Sequence, residues 1–282
     1  MQGADGEYAV INTRERAPFF KAVAGALSQT RAMHMVDAMN QAKKRPYIFD
    51  AGCTLQQAKA LWELLHKEGV ESAIVPMDYF TTIGAAHMLN NANCLPGSFE
   101  IQPLTGPPLQ IDWKELAMIS YGRVKHRQRK LPGGTVGTTG PGPMATLASA
   151  VVAGPVYAAY RASHPIVKQD AKPKDQTEVH DCLDIFVGYI NNDEFAAHFR
   201  VFAGKFYYDY LGERRQPTSA ANFRLFVEDI VRYASDAILT DDTRQFLARR
   251  PPGKPIEGFD IFDEYNRWSV AIARARAEGK VS

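Results

Sequence analysis

The chain has 282 residues, of which 45% are hydrophobic and 23% charged, a balance that excludes wholesale disorder and a fibrous protein. Lys and Arg number 33 against 31 Asp and Glu, so the net charge of +2 excludes a chain that coats nucleic acid along its whole length. Three widely spaced cysteines, Cys53, Cys94 and Cys182, make neither a disulfide scaffold nor a zinc-ligand pattern and point to a reducing, cytoplasmic setting.

The amino terminus lacks a basic stretch followed by an apolar one, so no secretory signal is read there. Tyr8–Ile11 is a β-prone run, and Phe19, Phe20, Val23, Ala24 and Leu27 then recur on one helical face. A second helical piece carries Met35, Val36 and Met39; Lys43, Lys44 and Arg45 suit its C-terminal dipole, and Pro46 stops it. Tyr47–Phe49 reads as extended. Thr54 and Gln57 form a capping box opening a helix with Ala58, Leu61, Trp62 and Leu65 on its apolar face and Gly69 just past its end. Glu71–Val75 alternates as a strand, and Pro76 ends it. Helices interleaved with short strands predict a small two-layer α/β module over residues 1–80.

Several residues here carry a family likeness: Lys21-Ala22-Val23, the helical pair, Arg45-Pro46, Gly52, Gln57-Ala58, Leu61, Leu65, Glu68-Gly69-Val70-Glu71 and Ile74-Val75. With them, residues 7–76 resemble the C-terminal domain of the bacterial ribosomal stalk protein. The resemblance implies a three-stranded sheet backed by three helices, and a surface on the first two helices that in the family docks translation factors. Lys21 matches a family lysine. Ala24 stands where the family has a basic residue, and Ser28-Gln29-Thr30-Arg31 lacks the family glycines, so the resemblance implies the fold rather than the ribosomal role.

Residues 81–109 are rich in turn formers (Asn90-Asn91-Ala92-Asn93, Pro96-Gly97, Gly106-Pro107-Pro108) and read as a connector with short strands. Leu116, Met118, Ile119, Tyr121 and Val124 then suit a strand entered from a short turn. The chain next changes character. Arg123, Lys125, Arg127, Arg129 and Lys130 put five positive charges within eight residues, a Gly- and Pro-rich run follows from Pro132 to Pro143, and no charged residue occurs from Leu131 to Tyr160. Residues 125–179 are therefore read as a flexible insertion, and the small-residue stretch 144–160 is not read as a membrane span.

Leu183, Ile185 and Val187 alternate as a half-buried strand does, and 196–211 reads as a second strand ending in the aromatic cluster Phe206, Tyr207, Tyr208 and Tyr210. The best helix opens near Thr218, with Phe223, Phe226, Val227, Ile230, Val231 and Ala234 at i, i+3, i+4, i+7 spacing. Strands closed by one amphipathic helix over 110–245 resemble, in element order, a pleckstrin-homology-like half-barrel. Arg249-Arg250-Pro251-Pro252-Gly253 opens a linker and a terminal helix over 246–282, whose stripe Tyr265, Trp268, Ile272 and Ala275 must bury itself on the body or on another subunit. The fold class is α+β.

Chemistry-bearing patterns are scarce. The glycines of 133–142 lack the lysine and the flanking strand and helix of a phosphate loop. Glu178, His180, Cys182 and Asp184 alternate on one strand face, but donors two apart on a flat strand lie nearly 7 Å apart, so the simpler expectation is a solvated polar face opposite an apolar one. No nucleophile elbow and no H-E-x-x-H pair occurs. No catalytic residue, metal or cofactor is therefore assigned. The expected function is non-catalytic: a protein-interaction or scaffold role, or self-association, through Lys21, Tyr265 and Trp268, with peripheral binding to anionic lipid or nucleic acid through Arg123, Lys125, Arg127, Arg129 and Lys130 as the alternative. An enzyme with a dispersed site remains the third reading.

Overall fold

The local signals of the first eighty residues produce β1 (Tyr8–Asn12), α1 (Phe20–Arg31), α2 (Met35–Lys44), β2 (Ile48–Cys53), α3 (Leu55–Lys67) and β3 (Ser72–Pro76) in a computed structural model. It describes residues 7–14, 18–103, 107–129, 175–190, 194–251 and 253–281. Thr54 and Gln57 make the reciprocal capping box, at 3.2 and 3.0 Å, and Gly69 ends α3 at φ +71°. The three strands pair antiparallel in the order β2-β1-β3. Because side chains alternate, Val10 faces α1–α3 and packs with Val23, Leu27, Phe49 and Leu61, whereas Ala9 and Ile11 face the other way.

Among the described residues, the second sheet has seven strands in the order β10-β7-β8-β9-β4-β5-β6. Residues 81–109 supply β4 (His87–Cys94), β5 (Phe99–Pro103) and β6 (Leu109–Ile111), so much of the expected connector belongs to this sheet. The Asn run that reads as a turn lies inside β4, where pairing with β5 on one side and a bridge to Tyr207 on the other override the weak strand preference of asparagine. A capped turn at Asp112–Glu115 leads into β7 (Leu116–Arg129), followed by β8 (Asp175–Ile190), β9 (Glu194–Phe202) and β10 (Ile238–Leu239). The expected insertion at 125–179 is thus narrowed by strand at both ends; its remainder, with the glycine run and the 144–160 stretch, lies outside the described residues. The chain up to Lys125 and from Val179 onward is one compact unit, and His126–Glu178 is a second.

The strand expected over 196–211 stops at Phe202. Lys205 N–H donates to Phe202 O at 3.0 Å in a turn, and the Tyr208 hydroxyl donates back to Ala203 O at 2.9 Å, folding Phe206 and Tyr208 into the core. Tyr207 stays 60% exposed. Helix α4 (Ser219–Tyr233) opens at Thr218, whose hydroxyl accepts from Ala221 N–H, and lays Phe223, Phe226, Val227 and Ile230 on Leu183, Ile185, Phe199 and Val201. A short α5 (Asp241–Leu247) follows.

The last helix, α6 (Phe259–Ala277), occupies the opposite face of the seven-stranded sheet. It is sandwiched there, because its Phe262, Tyr265, Trp268, Ile272 and Ala275 pack with Val124 and Cys182 and also with Ala9, Ile11, Ile48 and Val75 of the first sheet. The layers run α1–α3, small sheet, α6, large sheet, α4. Tyr265 and Trp268 are each 1% exposed, and Trp268 Nε1–H donates to Asn12 O at 2.7 Å. Burial of each large aromatic contributes about 2–3 kcal/mol. These two residues therefore act inside the chain, and their expected place on an interaction surface is corrected.

A second correction concerns β8. Its His180-Cys182-Asp184 face is not solvated: Cys182 and Asp184 are fully buried beneath α6, because the sheet is covered on both sides. Asp184 lies opposite Arg200 in the β8–β9 ladder, and Arg200 grips it with Nε to Oδ1 and Nη2 to Oδ2, both 2.6 Å. Arg200 Nη2 also donates to Asp263 Oδ1 at 2.7 Å, and Asn266 Nδ2 donates to Asp184 Oδ2 at 2.9 Å. His198 Nε2 sits 3.0 Å from Asp184 Oδ2, near enough to share charge but poorly aligned as a hydrogen bond. Two strands and α6 are thereby tied at one carboxylate.

Candidate functional site

The basic run begins on β7, where Tyr121 and Arg123, two residues apart, share the face turned toward α4. The edge of β7 at this level is built by later chain. Ile256 pairs with Val124, Lys125 N–H donates to Ile256 O and Ile256 N–H to Arg123 O, each at 2.8 Å. Between β10 and Ile256 the strand edge would be bare, and Thr243 of α5 fills the gap. Its hydroxyl accepts from Tyr121 N–H at 2.8 Å and donates to Ile119 O at 3.1 Å, standing in for a peptide unit.

The result is a cleft of about 280 Å³ lined by Tyr121, Arg123, Asp181, Arg224, Asp242, Gln245, Phe246, Arg250, Pro251, Gly253, Lys254 and Ile256. Four cations (Arg123, Arg224, Arg250 and Lys254) meet two carboxyl groups (Asp181 and Asp242). Asp181 is engaged: it accepts from the Tyr121 hydroxyl at 2.7 Å and lies 3.5 Å from Arg123 Nε. Burial and the bond to Asp181 push the Tyr121 phenol up, so it stays protonated as a donor. Arg224 is fixed flat over the Phe246 ring, 4.4 Å from its centre, with Nη1 donating to Phe246 O at 2.6 Å, and Tyr121 stacks on the same ring at 4.2 Å. Arg250 and Lys254 make no ion pair among the described residues. The Asp242 carboxyl, half-buried, is pushed up to about 6 by burial and by the neighbouring charge of Asp241.

This lining combines hydrogen-bond donors with positive charge, the chemistry that holds an anion. Of the residues singled out in the sequence, it gathers Arg123. Lys125 turns instead to Glu257, 2.9 Å away. Arg127 and Arg129 continue the β7 backbone, while Lys130 lies outside the described residues. Lys21 is exposed on α1, far along the chain from the cleft. Arg224, Asp242, Arg250 and Lys254 escaped the sequence reading, because they come from three separate segments; the double arginine at 249–250 was the one local hint. Among the described residues no group of three potential metal donors converges, His180, Cys182 and Asp184 included. No helix among the described residues is long and apolar enough to cross a membrane.

A second, shallower groove of about 460 Å³ runs over β4–β6 and is lined by Asn91, Asn93, Glu100, Gln102 and Gln110, with no cation among its lining residues. No protein-family model, curated protein or solved structure matches the chain.

Proposed function

We propose that the protein is a non-catalytic binding protein that takes an anionic group into the cleft beside Arg123. The observation that carries this reading is the surplus of cations there, four against two carboxyl groups, with Arg250 and Lys254 lacking acidic partners among the described residues. Arg224, immobilised on Phe246, is already ordered before a ligand arrives, which reduces the entropy lost on binding. The anion is that of a lipid headgroup or a nucleic acid, the partners expected of the basic run. Titration with sodium sulfate at low ionic strength tests it. Reversing Arg250→Glu and Lys254→Glu together weakens binding about tenfold, from about 0.5–1 kcal/mol per reversed charge at these exposed positions. Unchanged affinity in that variant refutes the reading.

A second reading, association with a protein or with another copy of the chain, is favoured by the apolar side chains left exposed at the start of α1 and on α2: Phe19, the N-cap of α1, is 84% exposed, Val36 59% and Met35 46%, with Lys21 two residues after Phe19. Sedimentation equilibrium tests the self-associating form. A concentration-dependent dimer abolished by Val36→Asp supports it, and a monomer at all concentrations removes it.

A further inference from the structure

We propose that the cleft binds a tetrahedral oxyanion together with one proton, which is held on the Asp242 carboxyl and donated to the ligand as a hydrogen bond. This rests on the anion-binding reading above. Of the two carboxyl groups in the lining, Asp181 is occupied by Tyr121 and Arg123, whereas Asp242 makes no ion pair among the described residues although four cations line the same cleft. An ionised Asp242 would face an oxyanion as one negative charge faces another. Protonation removes the repulsion and turns an acceptor into a donor, which tetrahedral oxyanions, rich in acceptor oxygens, can use.

Besides Asp242, the cleft is lined by Tyr121 and Arg123 of β7, Asp181 of β8, Arg224 of α4, and Arg250 and Lys254 of the tail segment. Asp241 precedes it on α5, and the hydroxyl of Tyr265 on α6 accepts from its backbone N–H at 3.5 Å, with Tyr47 also close enough to feel its charge. None of the lining residues is a histidine, so no other cleft group has an ordinary titration between pH 5 and 8. Burial already brings Asp242 up to about 6, within reach of neutral pH before any ligand is present. The step is a simple protonation: the carboxylate takes one proton from solvent as the anion enters and releases it when the anion leaves.

Sulfate is the probe, since it does not itself titrate in this range. Calorimetry at pH 7 in bis-tris and in imidazole, cationic buffers that do not compete for the site, reads proton uptake from the difference in heat. The expected uptake is about one half to one proton per sulfate at pH 7 and near zero at pH 5, with affinity falling about tenfold per pH unit above pH 6. Asp242→Asn, which keeps the shape and a donor, binds sulfate with no proton uptake and with affinity flat across the range. Sulfate binding by the wild-type protein without proton uptake, or a pH dependence retained in Asp242→Asn, overturns this inference and leaves the anion-binding reading standing. Absence of sulfate binding at pH 5 in both proteins overturns that reading as well.

Discussion

Replacing Arg200 by Met keeps most of the volume of the side chain and removes its charge. In the native protein the guanidinium holds the fully buried Asp184 through two bonds of 2.6 Å, reaches Asp263 at 2.7 Å and lies 4.6 Å from the Phe259 ring centre. Without it, Asp184 keeps only Asn266 and the neighbouring His198 in a layer closed on both sides by protein. The lost attraction, for charges about 4 Å apart at an effective dielectric constant of 20, is about 4 kcal/mol, and breaking one side of a buried pair costs about 3–5 kcal/mol once desolvation is included. For a chain of this size each kcal/mol moves the melting temperature by about 2–4 °C, so a fall of about 10 °C is expected. Urea unfolding followed through tryptophan fluorescence measures the loss as a lower midpoint at unchanged slope. Asp184→Leu combined with Arg200→Met recovers most of it, because no fully buried charge is then orphaned and Asp263 is left partly exposed to water. A loss under about 1 kcal/mol in Arg200→Met refutes the reasoning. The same pair sets an acid limit. Burial alone would raise the Asp184 carboxyl, but the Arg200 hydrogen bonds and charge, with His198 adjacent, outweigh it and hold the group below the usual carboxylate range. Its contribution to stability is thus complete above the unfolded value near 4 and is lost as the pH falls through the lowered native value.

Three other outcomes follow from single contacts. Thr243→Val leaves Tyr121 N–H without its partner and costs about 1–3 kcal/mol, with faster hydrogen exchange at Tyr121 as the direct readout. Gly122→Ala would set a Cβ 2.5 Å from the Phe262 ring, so α6 or β7 must shift, at a cost of about 1–3 kcal/mol in thermal unfolding. Burial pushes the Cys94 thiol up to about 12 and the Cys53 and Cys182 thiols upward as well, so the native protein at pH 8 reacts slowly with a thiol reagent and all three sites react at once in denaturant.

How much of this could be read from the sequence depended on the range of the interaction. Helix α4 was legible because its spacing and its Thr218 cap are properties of one short segment, as was α3 with its Thr54–Gln57 box. The burial of Asp184 was not. An alternating His180-Cys182-Asp184 pattern is what a solvated face looks like, and the residues that make burial tolerable, Arg200 on the next strand and Asn266 82 positions away, are invisible to periodicity. The same limit applied to the cleft, where Arg123 stood out within a charge run but Lys254 and Arg250 looked like linker. The Asn90–Asn93 run misled in the opposite direction, since its strand is imposed by β5 on one side and Tyr207 on the other.

Because α6 is the shared filling between two sheets, with Trp268 reaching a carbonyl 256 positions earlier, neither sheet is self-sufficient. Excising residues 7–79 to study the small module alone would bare the strip formed by Ala9, Ile11, Ile48 and Val75, and such a fragment should cling to itself or to surfaces. During synthesis the same strip must wait, half-assembled, until nearly two hundred further residues have emerged, which makes the nascent chain a natural client for chaperones.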